Sequence, residues 1–306
     1  SCPCHQLPFI DRSFVVALQQ SYLIPKQCQH TRAISITANP ILYEPIDVLM
    51  FPPFCPCNAD NIMIASAIKN SLLSIATMVN IYVSRHGQDA DNANGILNGH
   101  RNGPLTDLGR QQATDVAHKM LDAGFRFSTS GNDAPEGKTI LSAIYSSPLV
   151  RALHTARIFA DVLKDGASDE GKVELLDDLI ERDFGIMAGL PTSSITAICG
   201  EDKILATDTI NYFLDPEGAE TFPQLIDRAK RLVTHIDELT KDLPSDSSIL
   251  LVTHGDFGKM LYAAYYDILW EDVLRQFHFG NSEVLLLSKD SFSDKAHVFE
   301  TQQFNA

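Results

Sequence analysis

Positive charge is scarce in this sequence. Its 306 residues include 24 lysines and arginines against 39 aspartates and glutamates, which gives a formal net charge of −15. This balance argues against nucleic acid or an anionic membrane surface as a partner. An anionic substrate would therefore have to be bound by a local cluster of cations, against an unfavourable overall field.

Long apolar runs are also lacking. The apolar stretch at 62–76 is interrupted by Lys69 and Asn70, and it is shorter than the roughly 20 residues that a membrane span requires. The first residues carry neither the basic start and apolar centre of a secretory signal nor the arginine-rich, acid-poor composition of a mitochondrial presequence. We therefore expect a cytoplasmic location and no membrane partner.

Cysteine is nearly absent after residue 77, where only Cys199 occurs. A lone cysteine indicates a reducing compartment and no disulfide framework. The other cysteines lie in residues 1–77, in Pro-Cys clusters without a helix or strand period, and their two Cys-x-Cys pairs lack the wider spacing of zinc sites, so we expect no metal. We interpret 1–77 as a disordered or non-native leader before Met78, and 78–306 as one domain.

From residue 79 onward, short apolar β-rich runs alternate with segments of helical period. Such alternation predicts an α/β fold, a three-layer sandwich with a mostly parallel central sheet flanked by helices. The expected strands are 79–83, 141–145, 173–176 and 248–253, with late edge strands at 283–287 and 297–300. The expected helices are 106–123, one starting at 148, 204–214, 221–239 and 257–266.

Cationic and imidazole side chains stand at the ends of three of these strands. Arg85 and His86 follow the first strand, Arg151 lies just inside the helix after the second, and His254 follows the strand at 248–253. In parallel α/β sheets, ligands bind beyond the carboxyl ends of the strands. Arginine matches the geometry of phosphate oxygens, and a neutral imidazole can attack phosphorus. The pattern therefore predicts a site for a dianionic phosphoryl group.

Four motifs, in order along the chain, resemble those of the histidine phosphatase superfamily, whose founding members are the cofactor-dependent phosphoglycerate mutases. The resemblance covers about residues 78–290. Asn92 matches a phosphate-contacting asparagine of that family, and 216–222 resembles a segment that opens a helix in many members. The motifs are Arg85-His86-Gly87, Ser146 to Ala152 with Arg151, Leu179 to Gly185 with Glu181 and Gly189-Leu190, and Val252 to Gly255 with His254.

The resemblance implies a role for each residue. His86 would be the nucleophile and form a phosphohistidine that water hydrolyses, while Glu181 would protonate the leaving oxygen and then activate water. Arg85, Arg151 and His254 would hold the phosphoryl oxygens. Neither a metal nor a cofactor is implied. The expected substrate-binding residues are Asn92, Asn98, Gly99, Arg182 and Gly255.

Two of these assignments have structural alternatives. Asn98 and Gly99, followed by His100 and Arg101, either line the substrate mouth or form a polar turn. Glu220 is a second candidate for the acid, but its place near a helix start also suits capping.

Three functions remain open. Between Arg182 and Arg228 the only basic residue is Lys203, whereas family mutases carry a cluster of bases there and a tyrosine in place of Phe184. We therefore expect a phosphomonoester hydrolase with a small phosphorylated substrate, of the sugar phosphate class. The alternatives are a cofactor-dependent phosphoglycerate mutase and a non-catalytic phosphate-binding scaffold.

Overall fold

A computed structural model describes residues 79–128, 137–164, 172–208, 210–241, 243, 247–288 and 296–299. The leader expected at 1–77 lies outside the described residues. Within these ranges, every helix is too short or too polar to cross a membrane.

The centre of the described structure is a sheet of six strands, β1 (Asn80–Arg85), β2 (Phe125–Phe127), β3 (Thr139–Ser146), β4 (Val173–Leu175), β7 (Ser248–Thr253) and β8 (Val284–Leu287). They lie in the order β2-β3-β7-β1-β8, and β4 also pairs with β3. All of its pairings are parallel except that of β8, which runs antiparallel to β1. The prediction of a mostly parallel sheet is confirmed. A separate hairpin holds β5 (Ile204–Ala206) and β6 (Asn211–Phe213).

Side-chain caps mark the starts of two long helices. Thr106 accepts a hydrogen bond from the backbone N–H of Gly109 at the start of α2 (Asp107–Asp122). Thr221 forms a capping box with Gln224 at the start of α5 (Phe222–Thr240). Each cap satisfies backbone N–H groups that have no partner within the helix. The helices are α1 (Ala90–Ala93), α2 (Asp107–Asp122), α3 (Val150–Leu163), α4 (Ile195–Cys199), α5 (Phe222–Thr240), α6 (Gly255–Tyr266) and α7 (Trp270–Gln276).

Strand β7 is buried along its whole length, and its two faces belong to different cores. Ile249 and Leu251 pack in a cluster with residues of α5 and α6. Leu250 and Val252 pack in a second cluster with residues of α2 and α3. A strand covered on both faces has a continuous apolar sequence, as 249–252 does. The two cores confirm the three-layer sandwich.

The helix predicted over 204–214 is wrong. This segment forms the hairpin β5-β6, in which Ile204 pairs with Phe213 and Leu205 with Tyr212. The turn is closed by hydrogen bonds between Thr207 and Ile210. Its apolar residues fit either period over so short a stretch, and packing of Phe213 against Phe184, Met187 and Ile195 selects the strand.

Smaller differences concern short elements. The sequence patterns did not predict α1 inside the loop at 88–98, strand β2 or helix α7. The edge strand expected at 297–300 is reduced to a single bridge between His297 and Leu285, and residue 300 lies outside the described ranges.

Candidate active site

The pairing of β1 with β7 brings two of the predicted histidines together. Arg85 is the parallel partner of Thr253, and the next residue, His86, donates its backbone N–H to the Thr253 carbonyl at 3.0 Å. The rings of His86 and His254 consequently lie side by side, with centroids 5.1 Å apart. Both rings are buried.

The tautomer of His86 follows from its hydrogen bonds. Its Nδ1 lies 2.6 Å from the carbonyl oxygen of Gly87, and because a carbonyl can only accept, Nδ1 carries the hydrogen. Nε2 is then unprotonated, and its lone pair accepts a hydrogen bond from Arg151 Nε at 3.1 Å. Burial, followed by the charges of Arg151 and Arg85, lowers the pKa of His86 well below its usual value. The imidazole is therefore neutral, as a nucleophile must be.

Arg151 is fully buried and links the histidine to the mouth of the site. Its two terminal nitrogens donate to the carbonyls of Arg101 at 2.6 Å and Gly99 at 2.8 Å. Its Nε also lies 3.3 Å from a carboxylate oxygen of Asp89. These contacts fix the guanidinium plane beside His86, because each of its three nitrogens has at least one partner.

Arg85, the last residue of β1, is the second arginine of the candidate site. Its Nη1 donates to the carbonyl of Phe279 at 3.0 Å. Gly255, the first residue of α6, lies beneath the guanidinium, where an added Cβ would be 3.5 Å from Arg85 Cζ. The structure thus places Gly255 against a cation of the site.

His254 stands at the N-cap of α6. A hydrogen bond of 2.7 Å joins its Nε2 to Ser147 Oγ, while its buried Nδ1 has no partner among the described residues. Burial, then the positive charges of Arg151 and Arg85, lowers the pKa of His254 well below its usual value. An unsatisfied buried ring nitrogen is costly unless a ligand supplies its partner.

Glu181 is buried and its carboxylate binds the first turn of α6. One oxygen accepts from the backbone N–H of Arg182 at 2.8 Å and of Phe257 at 3.0 Å, and the other from that of Asp256 at 3.4 Å. Burial and the charge of Asp256 raise the pKa of Glu181, although these hydrogen bonds oppose the shift. A carboxyl with a raised pKa is suited to general acid catalysis.

Arg182 does not present its guanidinium to a substrate, which differs from the expectation. It is 1% exposed, its Nε donates to Asp256 at 3.0 Å and its Nη1 to the Phe213 carbonyl at 2.9 Å. Its Cζ lies 4.2 Å from the ring centroids of both Phe213 and Phe222. These contacts hold the β5-β6 hairpin against α6 and leave Arg182 a role inside the protein.

Glu220, the second candidate acid, is also engaged elsewhere. Both of its carboxylate oxygens accept hydrogen bonds from Arg228, at 3.0 and 2.8 Å. Arg228 in turn donates to the carbonyls of Asp178, Ile180 and Glu181. The pair therefore supports the segment that carries Glu181.

The three remaining predicted residues lie between β1 and α2, Asn92 in the short helix α1 and the other two in the loop after it. Asn98 is buried and donates to Asp89 at 2.9 Å, and Asn92 accepts from Asn281 at 3.4 Å. Gly99 has a φ of +48°, and a Cβ there would lie 2.9 Å from the ring of Phe184. Glycine suits this position because it adopts positive φ and leaves room for the ring.

Sequence reasoning missed three polar residues that order the site. Asp89 accepts from Asn98 and from the backbone N–H of Asn92, where it caps α1, Ser147 bonds His254, and Asn281 donates to the His86 carbonyl at 3.0 Å. Asp89, two residues after Gly87, could have been found as a helix cap. Asn281 precedes a strand instead of following one, so the expectation that ligands bind beyond the carboxyl ends of strands did not point to it.

No group of three or more His, Cys, Asp or Glu side chains in the described ranges is arranged to hold a metal ion.

Comparison with known sequences identifies a family profile that spans these segments, and individual relatives. A profile described as "histidine phosphatase superfamily (branch 1)" matches residues 81–132 and 135–298. The chain is 33% identical over 185 residues to phosphoglycerate mutase-like protein 4 of Arabidopsis thaliana, covering 60% of this chain and 69% of that protein. It is 25% identical over 192 residues to a 2,3-bisphosphoglycerate-dependent phosphoglycerate mutase of Nitrobacter hamburgensis, covering 63% and 83%.

Solved structures share the fold. A mycobacterial glucosyl-3-phosphoglycerate phosphatase, in complex with VO3, has a TM-score of 0.53 at 21% identity and covers 74% of this chain and 100% of that one. A phosphoserine phosphatase from Entamoeba histolytica, in complex with 3-phosphoglyceric acid, has a TM-score of 0.50 at 22% identity and covers 73% and 96%.

Proposed function

The chain belongs to the histidine phosphatase superfamily, and from that premise we propose that it hydrolyses phosphomonoesters of small metabolites through a phosphohistidine at His86. The observation that supports this most directly is the fixed tautomer of His86. Its Nδ1–H is held by the Gly87 carbonyl, so the lone pair on Nε2 faces Arg151.

In the first step, His86 Nε2 attacks phosphorus. The N–P bond forms as the ester O–P bond breaks, and Glu181 gives its proton to the departing oxygen. Arg85, Arg151 and His254 hold the phosphoryl oxygens. Nδ1 of His254, which has no partner among the described residues, is a group that such an oxygen would satisfy. Loss of one donor of this kind commonly costs about 3 kcal/mol of transition-state stabilisation.

In the second step, water replaces histidine on phosphorus. Glu181, now a carboxylate, takes a proton from the water as the new O–P bond forms and the N–P bond breaks. This returns inorganic phosphate, neutral His86 and protonated Glu181, so that protons balance over the cycle.

Hydrolysis is preferred over mutase chemistry because the segment between Arg182 and Arg228 has few cations. Lys203, the only base between Arg182 and Arg228, is half exposed, and its Nζ lies 3.5 Å from the carboxylate of Asp215. A mutase must also grip a second anionic group of its substrate. The mutase function remains the second candidate because the sequence relatives include proteins with mutase names.

The names of the two structural neighbours mention phosphate esters of small metabolites. We take a small phosphorylated metabolite, of the sugar phosphate class, as the substrate of this chain.

The test is turnover of a generic aryl phosphate by the full chain, with His86→Ala as the blank. Rapid acid-free quenching and intact mass measurement should show one phosphoryl group on the wild-type chain and none on the variant. Absence of wild-type turnover would favour the scaffold alternative. Interconversion of phosphoglycerates on addition of 2,3-bisphosphoglycerate with 3-phosphoglycerate would favour the mutase.

A further inference from the structure

His100 links the two sides of the candidate active site. Its neighbours Gly99 and Arg101 are held through their carbonyls by Arg151. Its own ring contacts the segment that carries the candidate acid, where Nε2 lies 2.7 Å from the carbonyl oxygen of Glu181. Because that oxygen can only accept, Nε2 carries the hydrogen.

The carbonyl that His100 binds belongs to the peptide group that also holds the Glu181 carboxylate. The peptide between Glu181 and Arg182 has its C=O bonded to His100 and its N–H bonded to Glu181 Oε1 at 2.8 Å. A peptide group is planar and rotates as one unit. Fixing the oxygen end therefore fixes the direction of the N–H that orients the carboxyl group.

Arg228 holds the same carbonyl more weakly, at 3.3 Å. It also binds two further carbonyls and Glu220, so its removal would disturb the whole segment. His100 differs because its side chain is 39% exposed, and its other polar contact is the carboxylate of Asp183, 3.9 Å from Nδ1. A truncation at His100 can therefore alter the peptide without opening the core.

We propose that His100 is a positioning residue that aims the Glu181 carboxyl at the leaving oxygen by fixing the peptide between Glu181 and Arg182. This inference rests on the proposed function, in which Glu181 is the acid. The effect of His100 on kcat/KM should be largest for substrates whose leaving group needs a proton. A purely structural residue would affect all substrates alike.

The experiment compares two substrates, p-nitrophenyl phosphate and glycerol 3-phosphate. The aryl leaving group departs as a stable anion, whereas the alkoxide requires protonation. We expect His100→Ala to lower kcat/KM about tenfold on the alkyl ester and less than about twofold on the aryl ester, because part of the general acid contribution is lost. His100→Gln, whose amide can donate to the same carbonyl, should recover most of the loss.

His118→Ala is the matched control. His118 is an exposed histidine of α2 whose Nδ1 lies 2.9 Å from the Thr114 carbonyl, and its removal should leave both rates unchanged. A loss of equal size on the two esters in His100→Ala, or no loss on either, would overturn the inference.

Glu181→Gln, measured in parallel, separates this inference from the proposed function. It should lower kcat/KM for glycerol 3-phosphate far more than kcat/KM for p-nitrophenyl phosphate. If it does not, the role of Glu181 as the acid fails. If it does while His100→Ala behaves like the wild type, only the role of His100 fails.

Discussion

Lys259 is a buried cation whose removal should make the protein more stable. It lies in α6 with 6% exposure, and its Nζ donates to the hydroxyl of Tyr212 at 2.6 Å. Burial lowers the pKa of Lys259 from 10.5 to about 8, although the charge of Asp256 opposes the shift. The folded state therefore carries a cost for keeping this amine protonated at neutral pH.

The size of the effect follows from the shift. A difference of about 2.5 pKa units corresponds to roughly 3 kcal/mol. The lost hydrogen bond to Tyr212 offsets about 1 kcal/mol of the gain if both partners are replaced, so that no hydroxyl is left unsatisfied. We therefore expect the double variant Lys259→Met, Tyr212→Phe to be more stable than the wild type by about 2 kcal/mol at pH 7.

The pH dependence gives the sharper test. Below about pH 8 the amine is protonated in both the folded and the unfolded state, so the wild type bears the full cost. As the pH rises towards 10.5, the folded state binds fewer protons than the unfolded state, and the wild type gains stability. The advantage of the double variant should therefore shrink towards zero by pH 10.

Urea unfolding at pH 7 and pH 10 measures these differences. The single variant Tyr212→Phe is the control, and it should lose about 1–3 kcal/mol at pH 7 because it removes the hydroxyl that accepts from the Lys259 ammonium in the core. A double variant that is less stable than the wild type at pH 7, or whose advantage does not change with pH, would refute the reasoning.

Two further predictions concern packing and catalysis. Gly258→Ala should destabilise by about 1–3 kcal/mol in urea unfolding, because the added Cβ would lie 2.3 Å from the Phe279 ring; Gly103→Ala, which meets nothing within 4 Å, should change stability by less than about 0.5 kcal/mol. The kcat/KM for an alkyl phosphate should fall as pH rises through the raised pKa of Glu181, since the carboxyl must be protonated, while the lowered pKa of His86 keeps the nucleophile neutral over the same range. Glu181→Gln should remove this decline from the pH–rate profile, and its persistence would assign the titration to another group.

The fold could be predicted where local pattern and tertiary packing agree. Strand β7 is a continuous apolar run because both faces are covered, and α5 carries its own cap at Thr221. The helix prediction for 204–214 failed because the apolar spacing fits both the helix and the strand period. Only contacts with Phe184 and Met187 distinguish the two. Helix α7, with seven residues, is too short to show a clear period.

The site could be predicted to a similar extent. His86 and His254 follow directly from the topology, since neighbouring parallel strands end at the same edge. Arg182 lies in a motif that does not show which way its side chain points. Its guanidinium donates hydrogen bonds to Asp256 and to the Phe213 carbonyl. Asn281 is close to His86 because the strand that follows it, β8, pairs antiparallel with β1. No local sequence pattern reveals this pairing.

The parallel register of β1 and β7 has a consequence for redesign. Successive side chains of a strand project to opposite faces, so deleting one residue from Asn80–Arg85 would send the imidazole of His86 to the far side of the sheet. Grafting this chemistry onto another scaffold would therefore depend on copying two adjacent strands in phase, before any choice of surrounding side chains.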